Sequence, residues 1–380
     1  MKQQRTITAY QAFIMVIMTV VGLGVLIFPR NMGIVVGRDG IWVTLLAIML
    51  VSLILYMMTL LGKWFPRDSY VEYTEKILGS NRYPWLGKLL HLPFLLAFAF
   101  IWFSLITYVA RGFSEVVVLS ILPQTPLEII MLIFLLTAAV VASYPPEVIV
   151  KFNELLFPFF LIPIVFLLIA LVQNAELINF FPLFQVNWQK VLVGATSISA
   201  DFAGYSIILI LMVNYQQPEK AVKSHLFSFL ITGIIFWLCF VVSLGSFGLE
   251  EMNRLTLPTL ETIRLVNTPF QILERLESIT NALWMVASFT TLANILYALV
   301  ELIRRKLKMQ PPTRKWISFL VVSISFIIAM IPQNLDQLFE LVSYVSRAIF
   351  AIDITVPLLL VIIAWLRKKR GKNNETSAIS

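Results

Sequence analysis

The chain has 380 residues, 59% of them hydrophobic, 13% charged and a formal net charge of +8. Mean hydropathy of +0.87 is more apolar surface than a soluble fold hides, so the composition excludes an ordinary soluble domain and points to a polytopic membrane protein. A single cysteine, Cys239, excludes an internal disulfide and a Cys-based metal site, and the sequence shows no phosphate loop, His cluster or nucleophile–base pattern, so neither cofactor, metal nor catalysis is expected.

Hydropathy and breaker residues predict ten membrane-spanning helices, at approximately 8–36, 41–62, 89–120, 127–144, 147–172, 191–213, 221–247, 277–304, 315–331 and 338–366. The first is retained, being too long for a signal-peptide core and lacking a cleavage pattern. It is interrupted by Gly22-Leu23-Gly24 and closed by Pro29-Arg30. Each glycine weakens a helix by roughly 1 kcal/mol relative to alanine. Lipid does not tolerate unpaired backbone, so a break at that depth should face protein or a water-filled cavity. Either the glycines allow close helix packing, or the break marks a binding site. The outer half-helix, beginning near Val25, would aim its N-terminal N–H groups at the bilayer centre, where they favour an anionic group such as an amino-acid carboxylate. Thr19, Gly22 and Gly24 are the candidate lining.

In span three, Arg111 and Glu115 are spaced to neutralise each other, and Tyr108 is placed to reach the central cavity. Span six has its own irregular run, Ser197-Ile-Ser-Ala-Asp201-Phe-Ala-Gly204-Tyr205, about 180 positions after the first break. The spans that follow keep the same offset, the pattern of a five-plus-five inverted repeat in one membrane domain, 1–380, with repeats at about 8–172 and 191–366 and a tail at 367–380. Asp201 is read as an ammonium acceptor, cation ligand or proton carrier, or else as a cap for its own broken helix. Ser199 and Tyr205 suit the same cavity or plain interhelical hydrogen bonding, and Gly204 is expected beside them. A short helix over about Leu257–Val266 is expected outside the hydrocarbon, and Asn281 in span eight completes the candidate set. Asp353 and Arg347 lie in span ten, and His91 and His225 read as interfacial residues.

Basic residues fix the expected orientation. With the N-terminus inside, 21 lysines and arginines fall in inside segments and six in outside ones, which places both termini in the cytoplasm. The positive charge is therefore topological and implies no nucleic acid.

Five-plus-five architecture with broken helices one and six resembles the amino acid–polyamine–organocation transporters. More specifically, Ile7-Thr8-Ala9-Tyr10-Gln11, Gly22-Leu-Gly-Val-Leu-Ile-Phe-Pro29-Arg30, Phe65-Pro-Arg-Asp-Ser-Tyr70, Lys151-Phe-Asn-Glu-Leu-Leu-Phe-Pro158 and Ile352-Asp-Ile-Thr-Val-Pro357 resemble the B subunit of bacterial spore germinant receptors, the spore germination permease family. The resemblance implies nutrient sensing at the inner spore membrane, together with an A-type membrane subunit and a C-type lipoprotein. It also implies an acidic residue just after the span-six glycine in many members, where this chain has Ser206. An ion- or proton-coupled amino-acid permease is the alternative function.

Overall fold

The structure, a computed structural model, describes residues 6–79, 84–198, 201–266 and 276–369. Predicted span one is divided into α1 (Ala9–Val20) and α2 (Gly24–Val36). A capping box starts α1: Thr8 Oγ1 accepts from the Gln11 N–H at 3.2 Å while Gln11 Oε1 accepts from the Thr8 N–H at 3.1 Å. Gly37, with φ of 63°, ends α2 in a conformation that favours glycine, and a 3-10 turn leads into α3 (Gly40–Trp64). Then come α4 (Tyr70–Leu78), α5 (Pro84–Leu90), α6 (Leu92–Ser120), α7 (Leu127–Ala142) and α8 (Pro146–Asn174). The second part of the chain holds α9 (Trp188–Ile198), α10 (Ile208–Leu211), α11 (Ala221–Arg254), α12 (Pro258–Arg264), α13 (Leu276–Lys306), α14 (Arg314–Ala329) and α15 (Leu335–Leu366). Among the described residues there is no strand, and one isolated bridge pairs Ile7 with Tyr215.

The fold is that of an all-α polytopic membrane protein. Among the described residues, seven helical segments are long and apolar enough to cross a bilayer, and three shorter apolar helices (Ala9–Val20, Leu127–Ala142 and Tyr205–Asn214) stand where predicted spans one, four and six lie. Three of the predicted spans fall short of that length for separate reasons: α1 ends at the first break while α2 runs on into α3 as one 41-residue segment, α7 is an unbroken helix of 16 residues, and the sixth is broken ahead of Tyr205. The exterior is apolar over long stretches: Met49 on α3, Ile133 on α7 and Val172 on α8 are 70%, 58% and 86% exposed, as side chains solvated by lipid would be. The interior is built around α1. Ile14 through Val20 are all buried, so this helix meets protein on every side.

Three polar arrangements fix the frame. The Ile7–Tyr215 bridge is a backbone stitch in which the Thr6 and Ile7 N–H groups donate to the Asn214 carbonyl and Gln216 N–H donates to Ile7. It holds the start of the first broken helix against the end of the second. Asp39, 2% exposed, accepts from Trp42 Nε1 at 3.0 Å, from the Val186 N–H at 2.7 Å and from the Phe184 N–H, so one carboxylate anchors the segment joining α8 to α9 onto the α2–α3 corner. Finally, His225 is buried rather than interfacial, with Nδ1 on Thr59 Oγ1 at 2.8 Å and Nε2 on Tyr215 Oη at 2.9 Å. His91 is likewise buried, at the start of α6. Both histidines have hydrogen-bond partners within protein.

The expected helix near Leu257–Val266 forms as α12 but does not lie free of the bundle. Thr259, Leu260, Thr262 and Ile263 are buried, and Thr259 Oγ1 donates to the Val25 carbonyl at 2.9 Å. This helix covers the first turn of α2.

Candidate functional site

The two helix breaks touch each other. Residues Val21–Leu23 separate α1 from α2, and residues 201–204 form a turn ahead of the short helical run at Tyr205–Asn214. A Cβ at Gly24 would lie 2.9 Å from the Asp201 carbonyl oxygen, and one at Gly204 would lie 2.9 Å from the Thr19 carbonyl oxygen. Gly204 also has φ of 123°, a conformation closed to ordinary L-residues. Each glycine therefore lets the opposite backbone approach, and the pair makes a reciprocal crossing. Gly22 does the same against a side chain, since its Cβ would meet Thr291 Oγ1 of α13 at 2.5 Å.

The Met18 carbonyl, freed by the first break, lies within hydrogen-bond reach of the Thr290 and Thr291 hydroxyls of α13, at 3.1 and 3.3 Å, each shared with the Ala287 carbonyl. Thr259 serves the Val25 carbonyl, whose partner one turn on is Pro29 and has no N–H. No side chain caps the N-terminus of α2; the Asp201 carbonyl lies against its first residue instead. An oxygen at that end is favoured by the helix dipole.

Two spaces meet at Asp201. A pocket of about 20 Å³ sits in the crossing, lined by Gly22, Leu23, Gly24, Leu105, Tyr108, Asp201 and Thr291 among others. It has room for one water and not for an amino acid. A side chamber of about 370 Å³ lies between α6, α14 and α15 and shares Leu105, Tyr108 and Asp201 with that pocket. Its walls are mostly apolar, including Phe100, Phe103, Ile331 and Leu341, with Asp201 their one acidic residue. Asp201 is half-buried, and its Oδ2 accepts from Asn31 Nδ2 of α2 at 3.4 Å.

The sequence-predicted residues separate accordingly. Gly22, Gly24, Tyr108 and Asp201 come together at the pocket. Thr19 faces elsewhere: its hydroxyl donates to the Met15 carbonyl at 2.6 Å and accepts from Asn294 Nδ2 at 2.9 Å, and Asn294 exchanges hydrogen bonds with Asn153 of α8. Gly204 serves the crossing contact. Tyr205 turns away, donating to Asp353 Oδ2 of α15 at 2.9 Å, so it ties the second break to span ten. Asn281 is buried about 15 Å along α13 from Thr291, which with Ile295 is what that helix contributes to the pocket. Ser199 lies outside the described residues. Arg111 and Glu115 pair at 2.7 Å, as their spacing predicts.

Sequence reasoning missed Asn31, Thr291 and Leu105. Asn31 carried a signal, a polar side chain inside the apolar run two turns after the break. The part played by the other two follows only from how α6 and α13 are rotated.

Comparison with known proteins decides the family. The family described as "Spore germination protein" matches residues 6–338, most of the chain. The chain belongs to the spore germination protein family. Spore germination protein YndE of Bacillus subtilis (strain 168) is 26% identical over 96% of this chain and 98% of its own length. Spore germination protein B2 of the same organism is 24% identical over 98% of both chains, and spore germination protein GerLB of Bacillus cereus is 24% identical over 94% of both. These matches run nearly end to end, so this spore germination protein is similar to its relatives over almost its whole length. The family is one of membrane proteins of germination, not an enzyme family.

Proposed function

We propose that this chain is the nutrient-sensing membrane subunit of a spore germinant receptor, and that it takes a small nutrient such as an amino acid at the crossing of its two broken helices. The observation that carries this reading is the position of Asp201. It stands at once on the first residue of α2, in the pocket of the crossing and at the wall of the side chamber. A ligand carboxylate would take the N-terminus of α2, which the Asp201 carbonyl now borders, and a ligand ammonium would take the Asp201 carboxylate. The apolar chamber walls suit the ligand's side chain. Since the pocket has room for one water, the structure corresponds to a closed state, and a nutrient acts by favouring a wider one.

In this reading the chain makes ten crossings as two inverted five-helix repeats in a single domain, with both termini in the cytoplasm and the protein in the inner spore membrane. It works with an A-type membrane subunit and a C-type lipoprotein, the assembly expected for a B-type subunit. The matched breaks and the 21-to-6 charge bias support this arrangement.

The deciding experiment is a dose–response curve for germination of Asp201→Asn spores, with protein level checked by immunoblot. Asparagine keeps a hydrogen-bond acceptor but loses the charge. A response shifted at least tenfold to higher nutrient concentration supports the reading, and an unchanged curve removes Asp201 from the site. Reconstituted in liposomes, the chain should bind nutrient without concentrating it. Gradient-driven accumulation would replace the sensor by a permease.

A further inference from the structure

A hollow of about 1200 Å³ opens on the face that carries both ends of the described chain, between α4, the start of α8 and the α13–α14 corner. Its α13–α14 wall is built on an unbalanced ion cluster. The Glu301 side chain has no exposure and accepts from three guanidinium groups. Arg304 donates through Nε at 2.8 Å and Nη2 at 2.7 Å, Arg305 through Nε at 2.6 Å and Arg314 through Nε at 2.9 Å. One carboxylate against three cations leaves two positive charges in excess, on side chains only 14%, 10% and 10% exposed.

Topological lysines and arginines stand in water, where the excess costs little. Recessed charge without a counter-ion is costly, several kcal/mol per ion on general grounds. Glu72, Glu75 and Glu147 also line the hollow and offset part of this charge at a distance, but Lys88, Lys306 and Lys308 line it too, so six cations face four carboxylates with Glu301 included. Among the described residues the ion pairs of the three arginines are with Glu301. A second observation points the same way. Arg305, which lines the hollow, has its Nη2 buried with no partner among the described residues. Lys306, also on this wall, donates to His91 Nε2 at 2.8 Å, and His91 Nδ1 in turn serves the Gly87 carbonyl, so this ammonium is held in place.

We propose that this hollow is an anion site that takes a compact polyvalent oxyanion of the phosphoryl class against Arg305 and Arg314, with Lys306 and Lys308 beside it. The guanidinium fork matches tetrahedral oxygens in geometry and charge. The anion comes either as free phosphate or as a phospholipid headgroup, and the two sources are separable.

The test measures thermal unfolding of the purified chain in neutral detergent while sodium phosphate replaces sodium chloride at constant ionic strength. Phosphate should raise the midpoint saturably, and Arg305→Gln should weaken the apparent affinity about tenfold or more. Lys308→Gln, which leaves the Glu301 cluster whole, should weaken it severalfold, whereas Lys190→Gln should leave it unchanged. If a lipid headgroup is the source, nanodiscs containing anionic phospholipid will stabilise the wild type over zwitterionic ones, and free phosphate will add nothing further. Should Arg305→Gln fail to accumulate, the double variant Lys88→Gln/Lys308→Gln decides by the same readout. Equal effects of phosphate and chloride with no preference for anionic lipid, or equal phosphate stabilisation of wild type and wall variants, would overturn the proposal.

Discussion

Replacing Gly24 by alanine is the sharpest test of the crossing. The added carbon would stand 2.9 Å from the Asp201 carbonyl oxygen, so one backbone must retreat by about 0.5 Å to reach ordinary contact. Neither side yields easily: Gly24 opens a helix whose Val25 carbonyl is held by Thr259, and the atom it meets is backbone rather than a side chain that could rotate. Overpacking of this kind costs about 1–3 kcal/mol, roughly 5- to 150-fold in the folded-to-unfolded ratio. Gly22→Ala supplies the contrast, because the atoms it meets belong to the Thr291 side chain. Truncation by Thr291→Gly should therefore restore much of the loss in Gly22→Ala and none in Gly24→Ala. Intrinsic fluorescence of the nine tryptophans during heating in detergent reports both. A Gly24→Ala protein that melts with the wild type, or one restored by Thr291→Gly, would refute the backbone contact.

Other expectations follow from the same geometry. Asp39→Ala should strip an indole and two backbone N–H groups of their acceptor and lower stability by about 3 kcal/mol or more, read from unfolding curves. Tyr205→Phe should leave Asp353 without its phenol partner at a cost of about 1.5–3 kcal/mol, while the same change at Tyr108, which lines the pocket, should alter nutrient response more than stability. Thr259→Val should uncap the Val25 carbonyl and destabilise by about 1–2 kcal/mol, again seen on melting. A cysteine at Lys308 should react with impermeant maleimide only from the cytoplasmic side and one at Arg254 only from outside; the reverse would invert the proposed orientation.

What could be read from the sequence was local. Gly22 and Gly24 announced the first break because a helix-weakening pair stood inside an apolar run, and α2 begins at Gly24, one residue from the expected start near Val25. Pairing of Arg111 with Glu115 was legible for the same reason, one turn of helix sufficing to bring them together. Long-range partners were not legible. Tyr205 suited either the cavity or an interhelical hydrogen bond, and nothing local named its partner: the hydroxyl reaches Asp353, 148 residues away. Depth was equally hidden for α12: its limits were close to those expected, whereas its burial depends on a bond between Thr259 and Val25. Asp39 gave no sign of its anchoring role, since two of its three donors are backbone N–H groups more than a hundred residues on.

The stitch between Ile7 and Tyr215 limits how this protein can move. Its bonds run from main chain to main chain, so only proline, which lacks the N–H, removes a donor, and they bind the leading end of one interrupted helix to the trailing end of the other. Those ends must travel as one rigid piece. Any widening of the crossing then resembles the opening of a hinged clasp, with the fixed leaf at the stitch and the swinging leaf formed by α2 and the α12 helix laid over it. Slow amide exchange at Ile7 and Gln216 that persists when nutrient is added, beside faster exchange in α12, is the behaviour such a clasp would show.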